Sequence, residues 1–535
     1  MNNTLFYGGP IITMAEPLYA QALLIRRGKI VYCGELEQAQ ALADEQTLRV
    51  DLQGCALAPA FIDCHSHLSQ VADSLHYVSL AGADSIEEIG RRIQAWIAEN
   101  KPEPGRWVVG SGYDHNDLPG GLHPTARQLD ELAPDHPLLI THASGHMGAA
   151  NARGLRELGI SSSTPDPAGG RIGRDEQGCL TGYLEENALA QRIRQIPRPT
   201  QQQRMENLAR AQKIYLRQGV TTCQDGKTNK ADFEFLCAAA KNGALELDTV
   251  AYADLKNAED LLDQYPQYRS YQRNLKIGGY KIFLDGSPQG RTAWMTKPYL
   301  GGKEGYKGYP IYTDDAVREF CQKALESGDQ LLAHCNGDAA AQQFIDAFEK
   351  AQGCCRVKNQ IRPVMIHAQT VRPDQLERMA QLDMMASFFV AHAYYWGDVH
   401  RKNFGDERAM AISPARTALE KGVRFTFHQD APVVPPEMWR TVWCAVNRLS
   451  KTGAVIGEGE RISTLEAMKA LTVNAAYQYF EEESKGTLEE GKLADLMILD
   501  RDPLETPPME LKDIQTLATI KEGFLLWKKD DPEKA

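Results

Sequence analysis

Short apolar runs that end in polar residues recur through the middle of the chain, at residues 60–63, 221–225, 249–254, 280–285, 331–334, 364–367, 384–392 and 425–430. Runs of this length bounded by turn residues read as buried strands. Most are separated by stretches with apolar residues at three- and four-residue steps, at 316–327, 339–351, 374–382 and 464–479. That spacing marks one face of a helix. Eight strands alternating with helices predict an α/β fold, a (β/α)8 TIM barrel over residues 56–484.

The two ends of the chain alternate at shorter range. Residues 5–7, 11–13, 22–25 and 29–32 are strand-like, as are 486–488, 495–500 and 520–527, with Gly8-Gly9-Pro10, Arg27-Gly28 and Glu490-Gly491-Lys492 as turns. Neither end can bury a core alone. Residues 1–55 and 485–535 are therefore expected to pair into one small β-sandwich. Residues 69–210 break the alternation, because a βα connection is normally only a few residues long. They carry helical patterns at 86–100 and 201–217 and a turn-rich piece at 117–121. This predicts an ordered insertion after strand one, packed over the barrel mouth as a lid or substrate subdomain.

Composition narrows the partners. The 535 residues are 43% hydrophobic and 24% charged, ordinary for a globular chain. A net charge of -12 argues against nucleic acid or an anionic membrane as partner. No apolar run approaches the ~20 residues of a membrane span, and Met1-Asn2-Asn3-Thr4 does not open a signal peptide. The 11 cysteines include an adjacent pair, Cys354-Cys355, and no Cys-x-x-Cys. A cytoplasmic protein acting on a small molecule is expected. The glycine-rich residues 301–308 lack the Gly-Lys-Ser/Thr of a P-loop, and no Gly-x-Ser-x-Gly elbow is present.

The candidate chemistry gathers at strand ends. Asp63, His65 and His67 alternate by two in Asp63-Cys64-His65-Ser66-His67, so their side chains share one side of an extended backbone. Two imidazoles so placed can grip one cation. Lys281, His334, His367 and Asp430 end strands four, five, six and eight, the face of such barrels where chemistry sits. A lone histidine or aspartate at a strand end is usually a turn residue. Six polar groups converging on one mouth point instead to metal. Zinc suits imidazole and carboxylate donors, with manganese or iron as alternatives.

The order and spacing of these motifs resemble the amidohydrolase superfamily of metal-dependent hydrolases, and within it the family 3 group that includes N-substituted formamide deformylases. The resemblance runs through Asp63-Cys64-His65-Ser66-His67, Gly169-Gly170-Arg171-Ile172, Thr181-Gly182-Tyr183-Leu184-Glu185-Glu186 and Gly219-Val220-Thr221-Thr222. It continues through Lys281-Ile282-Phe283-Leu284-Asp285-Gly286-Ser287, His334-Cys335-Asn336-Gly337-Asp338, Ile366-His367-Ala368-Gln369, Asp430-Ala431-Pro432-Val433 and Gly491-Lys492-Leu493-Ala494-Asp495-Leu496. It implies two divalent metal ions. His65, His67 and Asp430 would hold one, His334 and His367 the other, and a carboxylated Lys281 would bridge them. It also implies hydrolysis of a C–N bond, an amide above all, by a metal-bridged hydroxide with Asp430 as proton shuttle, and a homodimer by analogy. His146 in the insertion, Arg291 after strand four and Trp396 after strand seven are candidate substrate contacts, each with a packing role or a structural salt bridge as the plain alternative. His392 and His428 depart from the family pattern. Two other readings stay open: a deaminase releasing ammonia, and a barrel that binds metal or ligand without turnover.

Overall fold

The computed structural model describes residues 3–142, 147–168, 170–197, 199–301, 304–355 and 359–531. It divides into two compact units, one of Met1–Ser69 with Ala211–Ala535 and one of Gln70–Arg210.

The first unit contains an all-parallel sheet of eight strands. These are β1 (Phe61–Ile62), β2 (Val220–Thr228), β3 (Asp248–Asp254), β4 (Leu275–Phe283), β5 (Gln330–Cys335), β6 (Val364–His367), β7 (Met385–Phe388) and β8 (Phe425–Phe427). Their order in the sheet is their order in the chain. β3 and β5 are buried along their whole length, as parallel strands covered on both faces must be. The intervening helices begin where the chain supplies caps. Asn229 accepts from Asp232 N at 3.0 Å, and Thr313 Oγ1 accepts from Ala316 N at 3.4 Å.

The sheet is strongly curled. Ile62 of β1, Val250 and Tyr252 of β3, Leu332 of β5 and Met385 of β7 share one core with Ala475, Ala476 and Tyr479. In a flat sheet β1 and β7 would lie roughly 29 Å apart at about 4.8 Å per strand. The segments that follow β1 and β8 are joined directly, by Asp430 N→His65 O at 3.2 Å and His67 N→Ala431 O at 2.9 Å. Gln478 adds a second tie: its Nε2 donates to Cys64 O at 3.0 Å, and Thr426 Oγ1 of β8 donates to its Oε1 at 2.8 Å.

Two of the expected elements end early. The helix expected over 464–479 is two helices, Thr464–Leu471 and Val473–Gln478. Thr472 interrupts them, bonding its hydroxyl back to Met468 O at 2.8 Å. The strand expected over 384–392 stops at Phe388, and His392 opens the helix His392–Phe404.

The chain ends meet in a second sheet, in the place where a small β-sandwich was expected. Hydrogen bonds join all eight strands into one mixed sheet, ordered Phe524–Lys528, Thr516–Lys521, Leu496–Leu499, Ala56–Pro59, Thr4–Ile12, Tyr19–Arg26 and Lys29–Gly34, with Leu48–Asp51 also against Thr4–Ile12. Gly8-Gly9-Pro10 is a bulge inside Thr4–Ile12 rather than a turn. Gly8 has φ +82°, and a Cβ there would lie 2.0 Å from Asp51 Oδ1.

The second unit has its own mixed sheet, ordered Gly170–Arg174, Leu180–Glu186, Met147–Ala150, Leu138–His142, Val108–Tyr113 and Val78–Ser79. One apolar cluster, with Ile89, Ile93, Val108 and Ile140, includes the helix Ile86–Asn100. A second holds Val109, Leu139, Leu155 and Leu184. All 11 cysteines are free. No helix among the described residues is long and apolar enough to cross a membrane.

A buried ionic cluster links the parallel sheet to the terminal one. Lys485 Nζ lies 2.5 Å from Asp248 Oδ2 and 2.7 Å from Glu481 Oε2, and Lys276 also pairs with Glu481. Lys521 of the terminal sheet reaches Asp248 Oδ1 at 3.1 Å. Burial pushes Lys276 down, because its single carboxylate partner does not offset desolvation. Asp248 and Glu481 together overcome burial at Lys485, so its ammonium is held well above the ordinary range. Replacing one member leaves the rest buried and uncompensated. Lys485→Met is expected to cost about 3–5 kcal/mol in urea denaturation. A loss below about 1 kcal/mol would show that the cluster is hydrated and weak.

Candidate metal centre

Asp430, three residues past the end of β8, is the meeting point. Its Oδ1 lies 3.2 Å from His65 Nε2 and 3.2 Å from His67 Nε2, while its Oδ2 lies 3.9 Å from His367 Nε2. His65, His67 and Asp430 form a group whose ligand atoms all lie within 4.8 Å of one another. Asp430 has φ +55° and His367 φ +70°. Non-glycine residues rarely adopt such backbone, and it concentrates at functional sites.

The other ring nitrogens fix what these imidazoles can do. His65 Nδ1 lies 2.6 Å from Gln224 Oε1, and His67 Nδ1 lies 2.6 Å from Gly226 O. Gln224 is oriented by its own amide, which donates to Cys64 O at 2.7 Å. Both partners are acceptors, so in each neutral ring Nδ1 carries the proton and Nε2 presents a lone pair. Two lone pairs thus face one carboxylate oxygen. Burial and the nearby charge of Lys281 bring His65 down to about 4, so protonation does not relieve the repulsion near neutral pH. A cation does. Gly226 belongs to the same design, since a Cβ there would lie 3.0 Å from His65 Cε1 and 3.2 Å from His67 Cε1.

The second half of the site is less uniform. Lys281 is fully buried, and its Nζ has no hydrogen-bond partner among the described residues. Burial lowers its pKa to about 7. His367 Nδ1 lies 3.1 Å from His428 Nε2, and His428 Nδ1 lies 2.8 Å from Ser387 Oγ. Donation along that line leaves His367 Nε2 bare toward Asp430. His334 stands 4.5 Å from His367 between ring centroids. Both of its nitrogens have protein neighbours, Asp285 Oδ1 at 3.2 Å and Asn336 Nδ2 at 3.3 Å.

Two of the candidate substrate residues, Arg291 and Trp396, have neighbours of their own. His146 lies outside the described residues. Arg291 gives its Nε to Asn403 Oδ1 at 2.8 Å, a side-chain amide rather than a carboxylate. Trp396 packs 4.5 Å from His392 and 5.9 Å from Phe389, whose ring is 5.4 Å from His428.

Comparison with known proteins identifies the family. Residues 49–526 match the amidohydrolase family. The chain belongs to that family. This amidohydrolase is 29% identical over 530 residues to the N-substituted formamide deformylase of Arthrobacter pascens, covering 95% of each chain. It is 30% identical over 505 residues to Protein LONG AFTER FAR-RED 3 of Arabidopsis thaliana, covering 92% of this chain and 86% of the relative. Among solved structures, an uncharacterized metal-dependent hydrolase from Pyrococcus horikoshii OT3 superposes with a TM-score of 0.76 at 28% identity, over 95% of this chain and 99% of that one.

Sequence reasoning gave no role to the residues that aim the amidohydrolase's donors: Gln224, Gly226, Asp285, Ser387 and His428. Asp285 Oδ2 accepts from Gly337 N at 2.7 Å and Trp294 N at 3.0 Å, which pins the loop after β5. The only sequence signal for them was their closeness to strand ends.

The electrostatics of His65 are testable in metal-free protein. A folded pKa of about 4 against ~6.5 unfolded means that the unfolded chain takes up the proton first as pH falls. His65 therefore withdraws stability between pH ~6.5 and 4. Histidine ring NMR should show no titration of His65 from pH 8 to 5. A midpoint near 6.5 would sink the assignment.

Proposed function

We propose that this amidohydrolase cleaves the C–N bond of a small amide, with N-formyl, N-acyl and cyclic amides as the substrate class. The carrying observation is the convergence of two imidazole Nε2 atoms and the Asp430 oxygen on one point, with both Nδ1 atoms held by acceptors. On this reading the curled sheet is a closed (β/α)8 barrel, joined at Asp430 and His65.

The donors fit a divalent ion of the zinc type. His65, His67 and Asp430 would hold the first. Lys281, His334 and His367 would hold a second, which requires His334 to give up Asp285 or Asn336 as neighbour. A divalent ion there supplies positive charge that polarises a carbonyl oxygen and acidifies water. Lys281 serves the pair as a carbamate. With its pKa near 7, much of the amine is neutral, and the neutral Nζ adds to carbon dioxide with release of one proton. Asp430 is the proton carrier. Its carboxylate takes a proton from the attacking water, whose oxygen bonds to the carbonyl carbon, and returns it to the nitrogen as the C–N bond breaks. A cation held beside it would keep its carboxylate ionised, so that it begins in the accepting form.

The name of the Arthrobacter relative favours formamides within this class. A screen of N-formyl, N-acyl and cyclic amides with zinc- or manganese-loaded protein tests the reading. Amine and carboxylate released together support it. Ammonia released from a heterocycle would replace it with a deaminase, and no turnover of any of them would favour a binding protein. Asp430→Asn keeps the shape and an oxygen but carries no proton at neutral pH. It should retain most of its metal and fold while losing at least ~10²-fold in rate. A near-normal rate with metal in place would move the proton carrier elsewhere. Lys281→Ala should be inactive and partly restored by small carboxylates. Normal metal content and rate in that variant would remove the bridge.

A further inference from the structure

A second group of metal-binding side chains lies wholly within the unit Gln70–Arg210, and none of the chemistry above uses it. The parallel strands Val108–Tyr113 and Leu138–His142 run side by side, with Tyr113 and His142 in register at their carboxyl ends. The chain leaves the first strand through Asp114 and enters a short 3₁₀ turn at His115–Asp117. Asp114, His115 and His142 thus share one sheet end, where open α/β sheets bind their ligands.

Their donor atoms form a triangle. His115 Nδ1 lies 3.0 Å from His142 Nε2, His142 Nε2 lies 3.3 Å from Asp114 Oδ1, and His115 Nδ1 lies 3.6 Å from Asp114 Oδ1. Zinc bonds to nitrogen and carboxylate oxygen near 2.0–2.2 Å, which sets tetrahedral edges of about 3.3–3.6 Å. The three separations span that value. A hydrogen-bond network explains them poorly. His142 Nε2 carries at most one proton when neutral, yet it faces both a ring nitrogen and a carboxylate oxygen.

The surroundings also suit a site that exchanges with solvent. The Asp114 and His115 side chains are 36% and 26% exposed, whereas His142 is 7% exposed. His123 stacks on His115 with ring centroids 4.3 Å apart and an interplanar angle of 20°, and Tyr113 OH lies 2.9 Å from its Nδ1. His123 is thereby a positioning residue that fixes the His115 ring.

We propose that Asp114, His115 and His142 form a separate site for one borderline divalent cation, of which zinc is the type, with a fourth position left for water or a small anionic ligand. Three protein ligands and one open position is the arrangement of zinc sites that exchange a ligand rather than purely structural ones.

The test uses the full chain with His65→Ala and His67→Ala, which disables the first metal position described above. After chelation and equilibrium dialysis against zinc, this protein should keep about one equivalent that depends on His115. Adding His115→Ala or Asp114→Asn should weaken that binding at least tenfold, and neither partly exposed residue should alter the melting temperature of the metal-free form. Cobalt in place of zinc should give the visible absorption of a tetrahedral ion, lost in the same variants. Equal zinc content with and without both substitutions would overturn the proposal. So would a cobalt spectrum that His115→Ala leaves unchanged. Neither result bears on the His65 centre, whose loss is already built into the background.

Discussion

Two imidazole lone pairs and a carboxylate oxygen, buried and pointed at one spot, repel one another unless positive charge lies between them. The rest of the first unit can be understood as the apparatus that enforces this conflict. Gln224 and Gly226 on β2 hold the Nδ1 protons of His65 and His67, which commits both Nε2 atoms to face inward. Left-handed backbone at Asp430 and His367 turns their side chains to the same spot, at a local cost of order 1–3 kcal/mol each. A sheet with less packing around it could not sustain those costs together. The buried ionic cluster of Lys485, Glu481 and Asp248 supplies rigidity where β3 begins, and the Gln478 tie fastens β8 to the residue before His65.

The site also divides into parts of unequal readiness. The His65, His67 and Asp430 donor atoms already lie together within ligand distance of one another. His334 Nε2 has Asn336 Nδ2 beside it at 3.3 Å, and Lys281 requires a covalent addition before it can ligate.

The sequence made much of this legible, because strand ends carry chemistry in a readable rhythm. His65 and His67 alternate by two, and Lys281, His334, His367 and Asp430 each close an apolar run. The partners that aim them were hidden. Gln224 looks like any polar residue in a strand, and its role exists only because β2 pairs with β1. His428 was noticed only as a departure from the family pattern. It stands behind His367 and supports it. In the fold, Gly8-Gly9-Pro10 has turn composition but forms a bulge, since strands from both flanks continue past it. The sheet of the second unit was missed because its strands run from two to seven residues, too short for periodicity to register.

The joining of the two outer strands has a consequence for how the protein is made. Cys64 and Gln478, bonded side chain to backbone, are separated by 414 positions in the chain. The first ligands emerge from the ribosome long before Asp430 and the helix that fastens it. Until that late segment arrives, His65 and His67 lack their third donor, and β1 has only β2 as a neighbour. Contacts of such long range form slowly. A ribosome that stalls or terminates before residue 430 therefore releases a chain with two histidines exposed to stray metal and an unfinished sheet edge exposed to other chains.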